Sequence, residues 1–325
     1  MVFHFRNWWK AKKIKAIKHL LTLTLAFVLQ FAVAQTYEYK YLNPADSSTN
    51  CYVKVIPESE TVKALIVRDF SRLPNISKPS RSQLHLLAAE EGIMTVFTVT
   101  SKYYPDLYLD DNGPALLEKI ILEIIDEHGI PPENIFIGGI SASGARAFRF
   151  AQYCQRTKDS KVKVKGVFGV DPPLDLVRLY NSSEKTINKN HPKGNLEEAR
   201  LICSTLEEHL GGKADDIPEV YQAASVYSPN SDKGGNAALI TNIPIILFHE
   251  PDLDWWQVER GEGFDHINSV DIIGMIENLE KSGHQDIQLI TTTGKGFDRN
   301  GNRKPHSWTI VDEVMLLDWI LDRLY

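Results

Sequence analysis

Cysteine is scarce in this chain: Cys51, Cys154 and Cys203 are its only three, and they stand far apart. No disulfide framework and no metal-ligand spacing can be built from them; one disulfide at most fits, with a thiol left over. Long apolar runs are also lacking. The most apolar segment, Leu20 to Ala34, falls short of the roughly 20 residues that span a hydrocarbon core, so stable membrane insertion is not expected. Clustered positive charge is missing beyond the first 34 residues. The alternating lysines of Lys161 to Lys165 make only a short stretch, expected on a solvated strand edge. Nucleic-acid binding needs Lys and Arg gathered against phosphates, and is excluded on that ground. After residue 35 there is neither an internal repeat nor a low-complexity linker, and with 43% apolar residues the chain can bury a full core.

What is present begins with Arg6, Lys10, Lys12, Lys13, Lys15 and Lys18, which precede an apolar run ending in Ala32-Val33-Ala34. This is the shape of a secretory signal over residues 1–34, with cleavage before Gln35 and a secreted or periplasmic product. An uncleaved N-terminal anchor is the alternative. No Cys follows the cleavage point, so no lipid anchor is indicated. Because the segment carries no Asp or Glu, its removal takes the formal charge from −6 to about −12.

Strand-like and helix-like segments alternate along the remainder, the pattern of parallel βαβ units. Lys63 to Val67, Ile93 to Val99, Asn134 to Gly138, Gly166 to Val170, Ile243 to Phe248 and Asp286 to Thr291 read as buried strands. Helices are predicted from Ser80 to Glu91, from Asn112 to His128, from Ile267 to Lys281 and from Trp308 to Leu324. The second has Pro114 in its first turn, one apolar face from Leu116 to Ile125, and Gly129 at its end. Between about 171 and 240 the pattern weakens, with one or two helices suggested, and a cap inserted over the sheet is expected there. The fold class is α/β: a doubly wound, mostly parallel sheet with a helical insertion in a single domain spanning 35–325.

The strongest chemical signal is Ile135-Phe136-Ile137-Gly138-Gly139-Ile140-Ser141-Ala142-Ser143-Gly144. A buried strand runs into Ser141, and a helix begins at once. A sharp turn that lifts a hydroxyl above the sheet needs small neighbours on either side, and Gly139 supplies one. Beyond the serine the pattern is G-x-S-x-S-G, with Ser143 as a rival nucleophile that falls inside the helix start. A capping or phosphate-binding turn is the bland reading, but no Lys stands in the loop and no second glycine-rich phosphate signature follows. The segment resembles the nucleophile elbow of the α/β-hydrolase superfamily, in particular its secreted bacterial esterase-like serine hydrolases.

That resemblance implies a base and an acid in fixed places. Its histidine follows the last strand, where His306 stands in Arg303-Lys304-Pro305-His306-Ser307-Trp308. Its carboxylate follows the preceding strand, where His249-Glu250-Pro251-Asp252-Leu253-Asp254-Trp255-Trp256 offers two. Asp252 is the first choice because its turn lies directly off the strand, and Asp254 is the alternative if the turn is wider. The order Ser141, Asp252, His306 is the hydrolase order. The oxyanion hole should use the amides of Ala142 and of Phe70 or Ser71, in the glycine-free loop Arg68-Asp69-Phe70-Ser71-Arg72.

Tyr103, Tyr104, Tyr108 and Asp110 lie where ligands bind in open α/β sheets, with cleft lining and core packing equally expected. Trp255 and Trp256 are expected to pack beneath the cap, with a pocket wall as the alternative. His249 reads as a satisfied core residue, and Glu207, Glu208, Asp215 and Asp216 as solvated cap surface. Together these readings lead to an exported carboxylic ester hydrolase acting on small-molecule acyl esters, with no cofactor and no metal. The rivals are a peptidase or amidase of the same fold and a non-catalytic binding protein on the same scaffold.

Overall fold

The computed structural model describes residues 35–43, 45, 48–75, 82–101 and 105–324. The leader read at 1–34 and the candidates Tyr103 and Tyr104 therefore lie outside the described residues.

Eight strands form one sheet in the order β1-β2-β4-β3-β5-β6-β7-β8. They are β1 (Thr36–Tyr41), β2 (Cys51–Ile56), β3 (Ala64–Asp69), β4 (Ile93–Val99), β5 (Ile135–Ile140), β6 (Val164–Val170), β7 (Ile245–His249) and β8 (Ile287–Thr291). From β4 through β8 all pairings are parallel, while β1 with β2 and β2 with β4 are antiparallel. The central strands bury both faces, so their side chains divide by the two-residue period of a strand. Leu65, Val67, Ile135, Ile137, Ile245 and Leu247 face one layer; Ala64, Ile66, Phe136, Phe168, Ile246 and Phe248 face the other.

Helices cover both faces. On the first lie α2 (Asn112–His128), α3 (Ala142–Arg156) and α8 (Ser269–Lys281); on the second lie α1 (Leu84–Glu90) and α9 (Glu313–Leu321). The apolar stripe of α2, including Leu117, Ile120, Ile121 and Ile124, is fully buried, and each such side chain contributes roughly 1.5–3 kcal/mol. Gly129 at φ 63° ends the helix, as its position implied.

Several expectations are redrawn. The closing helix begins only at Glu313, because Trp308–Ile310 forms a 3-10 turn and the Asp312 carboxylate caps the Met315 amide. Lys165 sits in β6, which pairs on both sides, so the alternating lysines do not mark a sheet edge. The three cysteines are buried and free. Between β6 and β7 the insertion is more helical than its polar sequence suggested: α4 (Leu176–Lys189), α5 (Leu196–Leu210), α6 (Pro218–Ala224) and a kinked 3-10 segment, Asp232–Ile240. After β7 comes α7 (Leu253–Arg260). Among the described residues no helix is long and apolar enough to cross a membrane.

Candidate active site

β5 ends at Ile140, and α3 starts at Ala142. Ser141 between them adopts φ 56° and ψ −130°, a strained conformation for a residue with a side chain. Its amide donates to the Val170 carbonyl on β6, and its carbonyl accepts from the Ala145 amide, so sheet and helix hold the turn from both sides. The small residues are required by space. A Cβ on Gly139 would come within 2.8 Å of the Ser143 carbonyl carbon, and one on Gly144 within 2.9 Å of the Gly139 carbonyl oxygen. Gly144 thus permits the close strand-to-helix approach, and the Ser143 side chain fits in the place where Gly139 has no Cβ. It is buried and donates to the Asp69 carbonyl, outside the cavity that Ser141 lines.

That cavity has a volume of about 390 Å³ and is bounded by the elbow, by α4 and α5 of the insertion, by Trp255 and Trp256 on α7, and by His306. His306 lies in the loop after β8, and its Nδ1 is 2.5 Å from Oδ2 of Asp171. No hydrogen bond joins its ring to Ser141 in this structure. A carboxylate can only accept, so the proton is on Nδ1 and Nε2 is left as the acceptor edge of the neutral ring. Burial works against the imidazolium, but the Asp171 charge and hydrogen bond outweigh it and raise the His306 pKa above its ordinary value. Burial likewise opposes the Asp171 carboxylate, and the facing His306 and His249 rings overcome it and hold its pKa well below the usual range.

The carboxylate bonded to the histidine is therefore Asp171, immediately after β6. Asp252 and Asp254, expected after β7, are elsewhere. Asp252 caps α7, accepting from the Trp255 amide, and its other oxygen lies 2.7 Å from Arg303 Nη2. Asp254 is exposed in the first turn of α7. The buried Glu250 also grips Arg303 and accepts from the Lys295 amide and the Thr292 hydroxyl. The two carboxylates after β7 thus fasten the loop that carries His306 rather than touching its ring. Asp171 escaped notice because it stands in Val170-Asp171-Pro172-Pro173 one strand earlier. The available signal was a carboxylate directly following the apolar run Gly166 to Val170, at the carboxyl edge of the sheet.

Of the oxyanion candidates, Ala142 is the first residue of α3, and its amide has no carbonyl within its own helix to donate to. The Phe70 amide is taken by the Thr98 carbonyl at 2.8 Å, which removes Phe70 as a donor, and Ser71, half-buried two residues beyond β3, is not among the residues that line the cavity of Ser141. The loop is braced through Asp69. Its carboxylate accepts from Thr98, Thr100 and Tyr108, with Arg146 of α3 at 3.3 Å, and its carbonyl accepts from Arg146 and Ser143. Tyr108 is thus a buried structural residue, while Asp110 is exposed.

Trp255 and Trp256 meet edge to face at 5.1 Å, and Trp256 stands 6.4 Å from the His306 ring, so both wall the cavity. His249 is buried and fully hydrogen-bonded. Glu208, Asp215 and Asp216 are exposed, whereas Glu207 accepts a hydrogen bond from the buried Tyr180. Among the described residues no cluster of His, Cys, Asp and Glu could hold a metal.

No protein-family model and no curated protein sequence matches the chain. Solved structures do. A Pyrococcus horikoshii acylaminoacyl peptidase aligns at TM-score 0.56 and 13% identity over 92% of this chain, which spans only 43% of that protein. Carboxyl esterase 2 of Tuber melanosporum aligns at TM-score 0.52 and 15% identity, covering 91% of this chain and 87% of the esterase. The Francisella virulence factor BioJ aligns at TM-score 0.52 and 16% identity, over 94% and 90%. The strand order, the strained elbow at Ser141 and these likenesses together identify the chain as having the α/β-hydrolase fold.

Proposed function

We propose that this protein is an exported serine hydrolase that cleaves carboxylic esters through an acyl-enzyme. The observation that carries the reading is the placement of Ser141, on a strained elbow at a helix N-terminus, in one cavity with a His306 whose Nδ1 is held by a buried carboxylate. Ser141 Oγ attacks the acyl carbonyl while His306 Nε2 takes its proton; Asp171 fixes the tautomer and stabilises the imidazolium. The amide of Ala142, at the start of α3 beside the serine, receives the oxyanion. The proton on Nε2 then passes to the departing alkoxide. Water, activated by the same nitrogen, releases the acid and restores Ser141.

The cavity suits a small ester. Ile140, Ala142 and the two tryptophans make an apolar wall beside the serine, and Ser182, Ser183 and Thr186 of α4 make a hydroxylated one. The likeness to an esterase supports this reading. Amide cleavage is the second reading, favoured by Glu262. This cavity carboxyl is raised in pKa by burial, bonds to Thr186 at 3.3 Å and, among the described residues, forms no salt bridge. It would suit the amine of an aminoacyl substrate.

The test is labelling with a fluorophosphonate probe, followed by hydrolysis of short acyl esters and aminoacyl amides. Wild type should label and Ser141→Ala should not, with esters turned over faster than amides. An unlabelled wild type would mean a binding protein on the hydrolase scaffold, and faster amide turnover would select the peptidase reading.

A further inference from the structure

His249, the last residue of β7, has no role in the steps above, yet it is buried with both ring nitrogens engaged. Its Nδ1 lies 2.9 Å from Oδ1 of Asp171, and its Nε2 lies 2.5 Å from the hydroxyl of Ser269, itself fully buried at the start of α8. Since the carboxylate only accepts, His249 and His306 each present an Nδ1–H to it, one on either oxygen. The His249 tautomer follows, and its Nε2 accepts the Ser269 proton.

The geometry points to His249 as a positioning residue that acts through Asp171, holding the carboxylate plane so that Oδ2 meets His306 Nδ1. This inference rests on the reading of Ser141, Asp171 and His306 as a working triad.

The physical need is specific to this acid. Asp171 sits at φ 48° with its carbonyl taken by Asn268 Nδ2 at 2.8 Å, so its backbone is fixed while its carboxylate keeps a free torsion. A buried anionic oxygen without a donor is costly and turns toward whatever donor remains. The competing cation is Arg178, whose guanidinium is already committed to Asp271, Asn268 and the His266 carbonyl. His249 therefore supplies what Oδ1 would otherwise seek, through a hydrogen bond of the stronger, charge-assisted kind. A core histidine serving only to fill space would need neither the short Ser269 contact nor the alignment on Oδ1.

The experiment compares His249→Leu, His249→Asn and Ser269→Ala in the mature protein. It reads the rate of fluorophosphonate labelling and kcat and KM on a short acyl ester. His249→Leu should lower kcat and labelling by at least about tenfold, with KM within about twofold. His249→Asn, whose Nδ2 can stand in for Nδ1–H, should recover most of that loss, and Ser269→Ala should slow the reaction about threefold. Equal rates in His249→Leu and wild type would overturn the inference. So would a folded His249→Asn as slow as His249→Leu. If His249→Leu does not fold, proton NMR decides. Wild type should show two downfield Nδ1–H resonances, one removed by His249→Asn and the other by His306→Gln, and a single resonance in wild type overturns the shared carboxylate. Failure of the wild type to label would instead overturn the hydrolase reading and leave the two resonances in place.

Discussion

At Asp171 a single carboxylate meets two imidazoles, and most of what can be measured at the site follows from that arrangement. Asp171→Asn keeps the shape but offers a donor amide to at least one ring, so the His306 tautomer is no longer secured. A loss in kcat of about 10³ to 10⁴ is expected, by analogy with other triads. Asp252→Asn should cost only a few-fold, since Asp252 holds Arg303 three residues before the histidine and Glu250 holds it too. Steady-state kinetics of the two variants side by side would separate these roles. The pH dependence has a definite sign. In the proposed mechanism His306 must be neutral to accept the Ser141 proton, and its pKa is raised by Asp171, so kcat/KM should rise with pH along a limb centred above 6.5. The ion pair it forms with Asp171 stabilises the fold fully below the unfolded histidine value, and this contribution is lost as pH rises through the raised one. Activity should thus appear over the range in which this part of the stability fades, which a pH series of rates and denaturation midpoints would show.

At the level of elements, the elbow is the least forgiving part of the molecule. Gly139→Ala should destabilise by about 1–3 kcal/mol through overpacking against Ser143 and displace Ser141, read as a lower denaturant midpoint and slower probe labelling. The strands that carry the elbow were legible in the sequence because both their faces are apolar; Ile93–Val99 occupies the stretch its residues indicated. β1 was not. It is a sheet edge whose tyrosines at 37, 39 and 41 are exposed, so no buried face marked it, and it depends on β2 for its pairing. The insertion also hid its helices, since α4 and α5 bury only narrow stripes, such as Tyr180, Cys203 and Leu206, against one another. Ser141 and His306 were identifiable because local turn chemistry and order along the chain constrain them. Asp171 and His249 were less so, since their roles come from β6 and β7 lying side by side, a register that no local sequence pattern records.

At the scale of the whole molecule, the proposed export and the charge of residues 1–34 can be tested together. If residues 1–34 are a cleaved leader, expression in a secreting bacterial host should yield a product whose mass and N-terminal sequence start at Gln35. A product retaining Met1 in the membrane fraction would favour the anchor instead. In the proposed mechanism the chemistry is divided among three strand ends: the nucleophile follows β5, the acid β6 and the base β8. The loop after β7 is therefore relieved of supplying the acid. Some of its residues clamp Arg303, and Asn268 holds the Asp171 carbonyl, while Trp255 and Trp256 on it form one wall of the cavity. A change of diet can accordingly be sought at Trp255 and Trp256, and an engineer seeking a new specificity would randomise those two positions first, leaving Ser141, Asp171 and His306 in place.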